Sequence, residues 1–359
     1  MYPRLEIDIK KLRENARVLC DKCHKNNLQV AMVTKSYCAI PSVVEEIAKE
    51  DIDYLADSRI QNLKNLQHIN LPKILIRIPM LSELEEVVNY ADISFNSEIS
   101  VISKLNEIAK SKNIVHKVVL MVDLGDLREG CFYEEEVYSV VEQILKLDNV
   151  ELVGIATNLT CYGAVLPSKE NLGRLAKIGN EIKEKYNVEL EFISGGNSSS
   201  LYLLDNNEMP KEITNLRLGE AIALGRETAF GQTIADANED GFKLVCEIVE
   251  IKEKPSLPIG EIGLDAFGNK PYYEDKGIMK RAILAIGKQD IDINSITLCN
   301  KDLEILGASS DHMLLNISNS KIEYKVGDKI DFLLEYGGLM SAATSKYVYK
   351  EILTETALA

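Results

Sequence analysis

Residues 29–50 read QVAMVTKSYCAIPSVVEEIAKE. The first seven form an apolar run of strand length ending in Lys35, and the last ten, opened by Pro41, carry apolar residues at helical spacing with charge on one face. The same unit recurs down the chain. Strand-length runs stand at 53–56, 73–77, 92–95, 115–123, 151–158, 188–194 and 214–219, with amphipathic stretches at 81–90, 98–111, 133–146 and 168–185 between them. Eight such units within about 200 residues predict a (β/α)₈ TIM barrel over 8–231. A doubly wound sheet would more often use fewer strands.

After Gly231 the texture changes to β-rich runs at 242–252, 281–287, 303–306, 313–317 and 330–334, broken by Gly, Pro, Asn and Asp. This predicts a mostly β domain over 232–359 together with residues 1–7, with a boundary in the polar segment 226–240. The opening run RLEID, 4–8, can pair with either domain.

The 359 residues are 46% apolar and 27% charged, which suits a large globular core and excludes wholesale disorder. Forty-one basic against 56 acidic residues give a net charge of −15, so a nucleic-acid or anionic-lipid partner is not expected. No apolar run approaches the roughly 18 residues of a membrane span, and MYPRLEIDIKK lacks the apolar core of a secretory signal. Seven scattered cysteines do not form a disulfide framework, and the pattern reads as cytoplasmic. Cys20-x-x-Cys23 has metal or redox spacing but no second pair beside it, so both read as ordinary thiols, and no metal site is expected.

In a barrel of this kind chemistry gathers where strands end. Lys35 ends the first strand, where a partly desolvated amine is suited to imine formation with a carbonyl cofactor; it could equally leave the sheet for solvent. The fifth strand runs into DLGDLREG, 123–130, in which Arg128 could neutralise a phenolate or carboxylate, or pair with an acidic neighbour. The seventh strand ends in Ser194-Gly195-Gly196-Asn197-Ser198-Ser199-Ser200, whose glycines and hydroxyls suit a phosphate, although a serine cluster can also simply start a helix. Arg217 and Gly219 follow on the eighth strand. An amine on one strand and a phosphate cradle on two others fit pyridoxal 5′-phosphate.

The segments VTKSYCA, VDLGDLREG, SGGNSSSL and NLRLGEAIALG together resemble the alanine-racemase-like, fold-type III pyridoxal-phosphate enzymes, and look closest to the ornithine racemase branch. The resemblance covers nearly the whole chain. It implies an amino-acid racemase with Lys35 as Schiff-base lysine and base on one face, and Arg128 near the cofactor phenolate or the substrate carboxylate. It further implies Ser194, Gly196, Asn197, Ser198 and Gly219 as cofactor contacts, with Asn197, Ser198 and Gly219 around the phosphate, and Arg217 against the pyridine nitrogen. Asn158, in GIATNL, matches a pocket position that usually holds His.

The chain also departs from that pattern. Met121 stands where alanine racemases carry a modified lysine, and Tyr37 is the one tyrosine near Lys35, at a different spacing from their phosphate-binding tyrosine. The tyrosine that those enzymes borrow from the partner subunit as second base is replaced in AIGKQDI by Lys288. Lys288 is therefore the expected second base, with Asp311 and His312 as reserve candidates near the substrate carboxylate. The resemblance implies a head-to-tail homodimer and an amino-acid substrate, ornithine or a similar basic one; alanine or lysine is the alternative. Zinc-dependent relatives place a further His or Cys near the C-terminus, and the 47 residues after His312 hold neither. A non-catalytic carrier of the cofactor would consist of the barrel alone, and a cofactor-free hydrolase would need paired carboxylates or a Ser/His arrangement that the strand ends lack.

Overall fold

In a computed structural model, residues 1–353 are described. The chain divides into two compact units: Lys11–Asn238, and Met1–Lys10 with the chain from Glu239 onward.

The strands are β1 (Arg4–Asp8), β2 (Gln29–Val33), β3 (Tyr54–Asp57), β4 (Lys73–Leu75), β5 (Ile93–Asn96), β6 (His116–Met121), β7 (Val150–Ala156), β8 (Phe192–Ser194) and β9 (Asn215–Leu218). From β2 to β9 they close into a parallel eight-stranded barrel, β9 pairing back onto β2. Such strands are covered on both faces, which is why they read as continuous apolar runs rather than alternating ones. Inside lie Ala31, Val33, Ala56, Phe95, Val119, Met121 and Phe192, among others. Pairs two apart on one strand, such as Val119 and Met121, share the inward face. On β7 the period breaks: Val118 pairs Leu152 but Val119 pairs Gly154, so one extra residue bulges and both Val153 and Ala156 join the interior. A side chain at Gly154 would sit 2.5 Å from Cβ and the carbonyl oxygen of Phe192, so glycine is what lets that ring fill the barrel.

Lys35 is not the last residue of its strand. Thr34 turns to φ −100°, ψ −4°, and Lys35–Tyr37 forms a short 3₁₀ turn, so the expected strand 29–35 stops at Val33. The chain from 232 to 238 clusters with the barrel: Ile234 N–H bonds to Gly225 O, and Asn238 N–H to Asn15 Oδ1. The chain passes from one unit to the other at Asn238/Glu239, inside the polar segment 226–240 and past the expected domain edge at 231/232.

The second unit adds β10 (Phe242–Pro255), β11 (Ile278–Leu284), β12 (Ile296–Leu298), β13 (Glu304–Ala308), β14 (Met313–Asn316), β15 (Lys329–Leu334) and β16 (Tyr349–Leu353). They form one sheet of order β12-β15-β10-β11-β14-β13, while β1 pairs antiparallel with β10 and parallel with β16. The opening strand therefore belongs to this sheet. The long β10 serves β15 with its first half and β11 with its second, a register shift between Ile248 and Glu250 marking the change. A helix at Tyr336–Thr344 and the strands β12 and β16 lie outside the runs that the sequence predicts. Among the described residues no helix is long and apolar enough to cross a membrane.

Candidate active site

At the end of β2 the Thr34 hydroxyl donates to Asp57 Oδ2 at 2.7 Å, and Asp57 Oδ1 also takes Arg59 N–H at 2.8 Å and Asn62 Nδ2 at 3.1 Å. Asp57 is fully buried, and that burial raises its carboxyl pKa against the pull of those donors and of Lys35. Lys35 follows directly. Burial lowers its pKa most; Arg128 and Arg217 push the same way, while Cys161 and Asp57 oppose them. An amine held so is more often neutral, and hence nucleophilic, than a surface lysine.

On the neighbouring strand, β9, whose Arg217 pairs with Ala31 of β2, Arg217 is 4% exposed. Its NH1 donates to Ser194 Oγ at 2.7 Å, and its NH2 to the Thr157 carbonyl at 2.7 Å and to Asn158 Oδ1 at 3.3 Å. Burial pulls its pKa down to about 10, so it remains a cation at neutral pH. Asn197 Nδ2 reaches Asn158 Oδ1 at 3.2 Å and the Leu159 carbonyl at 2.9 Å, while its Oδ1 caps Ser199 N–H at 2.8 Å. Gly196, at φ +108°, accepts Arg217 N–H on its carbonyl, and Ser198 Oγ accepts Ala221 N–H at 3.2 Å. Gly219 packs against Val33, where an added Cβ would lie 3.1 Å from that side chain. Lys35, Asn158, Ser194, Gly196, Asn197, Ser198, Arg217 and Gly219 thus gather at one end of the barrel, around the loops that follow β2, β7, β8 and β9.

The loop after β6 is held tightly. Asp123 Oδ1 takes Gly125 and Leu127 N–H at 2.8 and 3.1 Å, and Gly130, at φ +125°, lies where a Cβ would meet Asp123 N at 2.7 Å. Asp126 is buried, which opposes its charge, but N–H groups of Tyr162, Val165, Gly163 and Cys161 outweigh that and hold it below the usual carboxylate range. The bonds staple this loop to the one after β7. Arg128 is here the acid-paired residue of the two readings open in the sequence, bound through two nitrogens to Glu129.

Lys288, Asp311 and His312 lie in the second unit, all exposed. The first and the turn 309–312 are neighbours: Lys288 N–H bonds to Ser309 O at 2.9 Å, and Ser309 N–H to His312 O at 2.9 Å. The Lys288 ammonium stands 4.2 Å from the ring centre of Phe267. Met121 is interior barrel packing and Tyr37 is buried. Sequence reasoning missed Asp57, Glu129 and Cys161; Asp57 alone left a trace, as an acidic residue closing an apolar strand just as Lys35 does.

The family model described as alanine racemase, N-terminal domain, matches residues 7–226. The chain belongs to the alanine racemase family. Within its range of relatives, the chain is 56% identical over 353 residues to an ornithine racemase of Acetoanaerobium sticklandii, covering 98% of this chain and 100% of that one. It is 38% identical to a lysine racemase of Thermotoga maritima, covering 98% of both. An alanine racemase structure from Clostridium difficile 630 superposes with a TM-score of 0.76 at 21% identity, covering 98% of this chain and 96% of that one, a likeness of fold.

Proposed function

We propose that this protein is a pyridoxal 5′-phosphate-dependent racemase that interconverts L- and D-ornithine, or a basic amino acid of similar shape, as a cytoplasmic head-to-tail homodimer. The observation that carries the reading is the convergence of Lys35, Arg217 and the 196–198 turn at one end of the barrel, in a chain 56% identical throughout to an ornithine racemase. Seven free cysteines, four of them buried, suit a reducing compartment.

The residues present fit the cofactor. Ser36 Oγ, Thr157 Oγ1 and Asn158 Nδ2 are buried without a hydrogen-bond partner beside Lys35 and Arg217, an arrangement that costs free energy unless a polar group meets them. Lys35 would hold the cofactor carbonyl carbon, Gly196, Asn197, Ser198 and Gly219 its phosphate, and Arg217 its ring nitrogen, with Ser194 and Asn158 fixing the guanidinium. When bound, the cofactor supplies an electron sink for the pair left behind when the α-proton departs. Lys35 Nζ, its charged form disfavoured by burial and two guanidiniums, takes or returns the α-proton on one face. Arg217, still cationic, would disfavour a proton on the ring nitrogen it would hold, which would temper the sink and discourage side reactions. Arg128 receives the substrate carboxylate. On the opposite face Lys288 is the proposed acid, brought by the second subunit, with Asp311 and His312 flanking the carboxylate.

The test is incubation of cofactor-loaded protein with L-ornithine in deuterated water, followed by chiral chromatography with mass detection. D-ornithine carrying one α-deuterium is expected. No exchange and no D-isomer on a panel of amino acids, with cofactor absorbance intact, would replace this reading by a cofactor carrier.

A further inference from the structure

A substrate with a second ammonium needs a carboxylate that is free to exchange partners. Most acids at the ends of the barrel strands are not. Asp57 is taken by Thr34, Arg59 and Asn62; Asp123 and Asp126 hold backbone N–H groups of their own and the neighbouring loop; Glu220 pairs with Arg226 at 3.4 Å. The three aspartates build loops. Glu129 and Glu220 face arginines instead; of the two pairs, Glu129–Arg128 has the more exposed arginine, 41% against 23% for Arg226, with Glu129 itself 18% exposed. It also stands close enough to the buried Arg217 to be the group that most opposes the loss of that residue's charge.

We infer that Glu129 selects the substrate, its carboxylate receiving the distal ammonium of a basic amino acid while Arg128 receives the α-carboxylate. This deepens the proposed function and rests on it. A partly exposed Arg–Glu pair exchanges partners at little cost. A dibasic amino acid presents both charges needed, so each member of the opened pair finds a counter-ion. An uncharged amino acid such as alanine must take Arg128 away and leave Glu129 without one, and an acidic amino acid would place like charges together; both are disfavoured. The geometry that makes the exchange selective is rigid: the Asp126 staple precedes the pair, and Gly130, with no room for a side chain, follows it.

The experiment compares L-ornithine with L-norvaline, which has the same carbon chain without the terminal nitrogen, in the wild type, Glu129→Gln and Glu129→Asp. Readouts are kcat and KM by chiral chromatography, calorimetric binding of each amino acid, and cofactor absorbance with melting temperature as the check on folding. Glu129→Gln is expected to raise KM and the dissociation constant for ornithine roughly 10- to 100-fold, with norvaline unchanged or improved, from the loss of one charge-assisted hydrogen bond. Glu129→Asp is expected to keep much of the preference. An unchanged ornithine-to-norvaline ratio in Glu129→Gln, or an equal loss on both substrates, overturns the inference while leaving the racemase reading intact. A wild type that racemises norvaline but not ornithine overturns the inference and the substrate assignment together.

Discussion

Two lysines divide this molecule. Lys35 sits buried between two short side-chain bonds, Thr34 to Asp57 and Arg217 to Ser194, both 2.7 Å, its charge disfavoured by burial and by Arg128 and Arg217. Lys288 stands exposed on a turn between β11 and β12, its ammonium against the single ring of Phe267. The barrel carries a chemical group prepared within one unit. The β unit carries a group whose surroundings within its own unit are mostly solvent, so its chemistry depends on what else meets it.

The largest expected effect breaks the barrel side. Lys35→Ala removes the amine that would hold the cofactor carbonyl, and turnover should fall by at least roughly 10³-fold together with the absorbance of the bound cofactor. Bound-cofactor absorbance unchanged in this variant would mean that another amine does that work. Next comes the other lysine. Lys288→Ala should lower racemisation by at least about 10²-fold, as loss of a general acid does, while cofactor absorbance stays intact. Undiminished turnover in both directions would eliminate Lys288 and turn attention to His312 and Asp311, its neighbours across the 309–312 turn.

The contrast also explains what could be read from the chain alone. Buried parallel strands leave long apolar runs, so the barrel from β2 to β9 was legible, as were most strands of the β unit. Strands β12 and β16 were not, β12 being only three residues long and β16 mixing exposed and part-buried residues, and the helix Tyr336–Thr344, YGGLMSAAT, consists largely of small residues with little pattern. Lys35 ends up off its strand because the preceding Thr34 is captured by Asp57, a partner 23 positions away that no local pattern announces. In the site, Arg217, Asn197 and Ser198 stood in recognisable motifs. Glu129 did not, because the availability of a carboxylate depends on which donors reach it, and Asp123, Asp126 and Glu129 look alike within a run of seven residues.

A third prediction probes how dry the barrel is. His116 opens β6, 3% exposed, its Nε2 2.9 Å from Ser94 Oγ, and burial lowers its pKa to about 4. Its folded value lies below the unfolded value near 6.5, so between those pH values the unfolded chain binds the extra proton. Stability from this residue is complete above pH 6.5 and falls as pH drops toward about 4, by on the order of 2–3 kcal/mol. His116→Gln should flatten that part of the profile in denaturant titrations at several pH values. A slope unchanged by the substitution would assign the acid sensitivity to other groups.

The smallest effect tests whether the barrel interior, unlike the open turn around Lys288, has any slack. At Gly154 a methyl group would approach Cβ, carbonyl oxygen and carbonyl carbon of Phe192 at 2.5, 2.5 and 3.0 Å, and two of those three atoms are backbone of the adjoining strand β8. A rotamer change cannot relieve the contact, so the β7 bulge or the β7–β8 pairing must move. Gly154→Ala should therefore lose about 1–3 kcal/mol by overpacking, read as a lower denaturant midpoint at unchanged slope. Because β8 ends at Ser194, whose hydroxyl receives Arg217 NH1 at 2.7 Å, the same shift should weaken cofactor affinity modestly. Alanine at the exposed Ser310 on the 309–312 turn should leave both quantities within about 0.5 kcal/mol of the wild type. Equal costs at the two positions would mean that the turn is as tightly determined as the barrel, and the division drawn between the two lysines would fail.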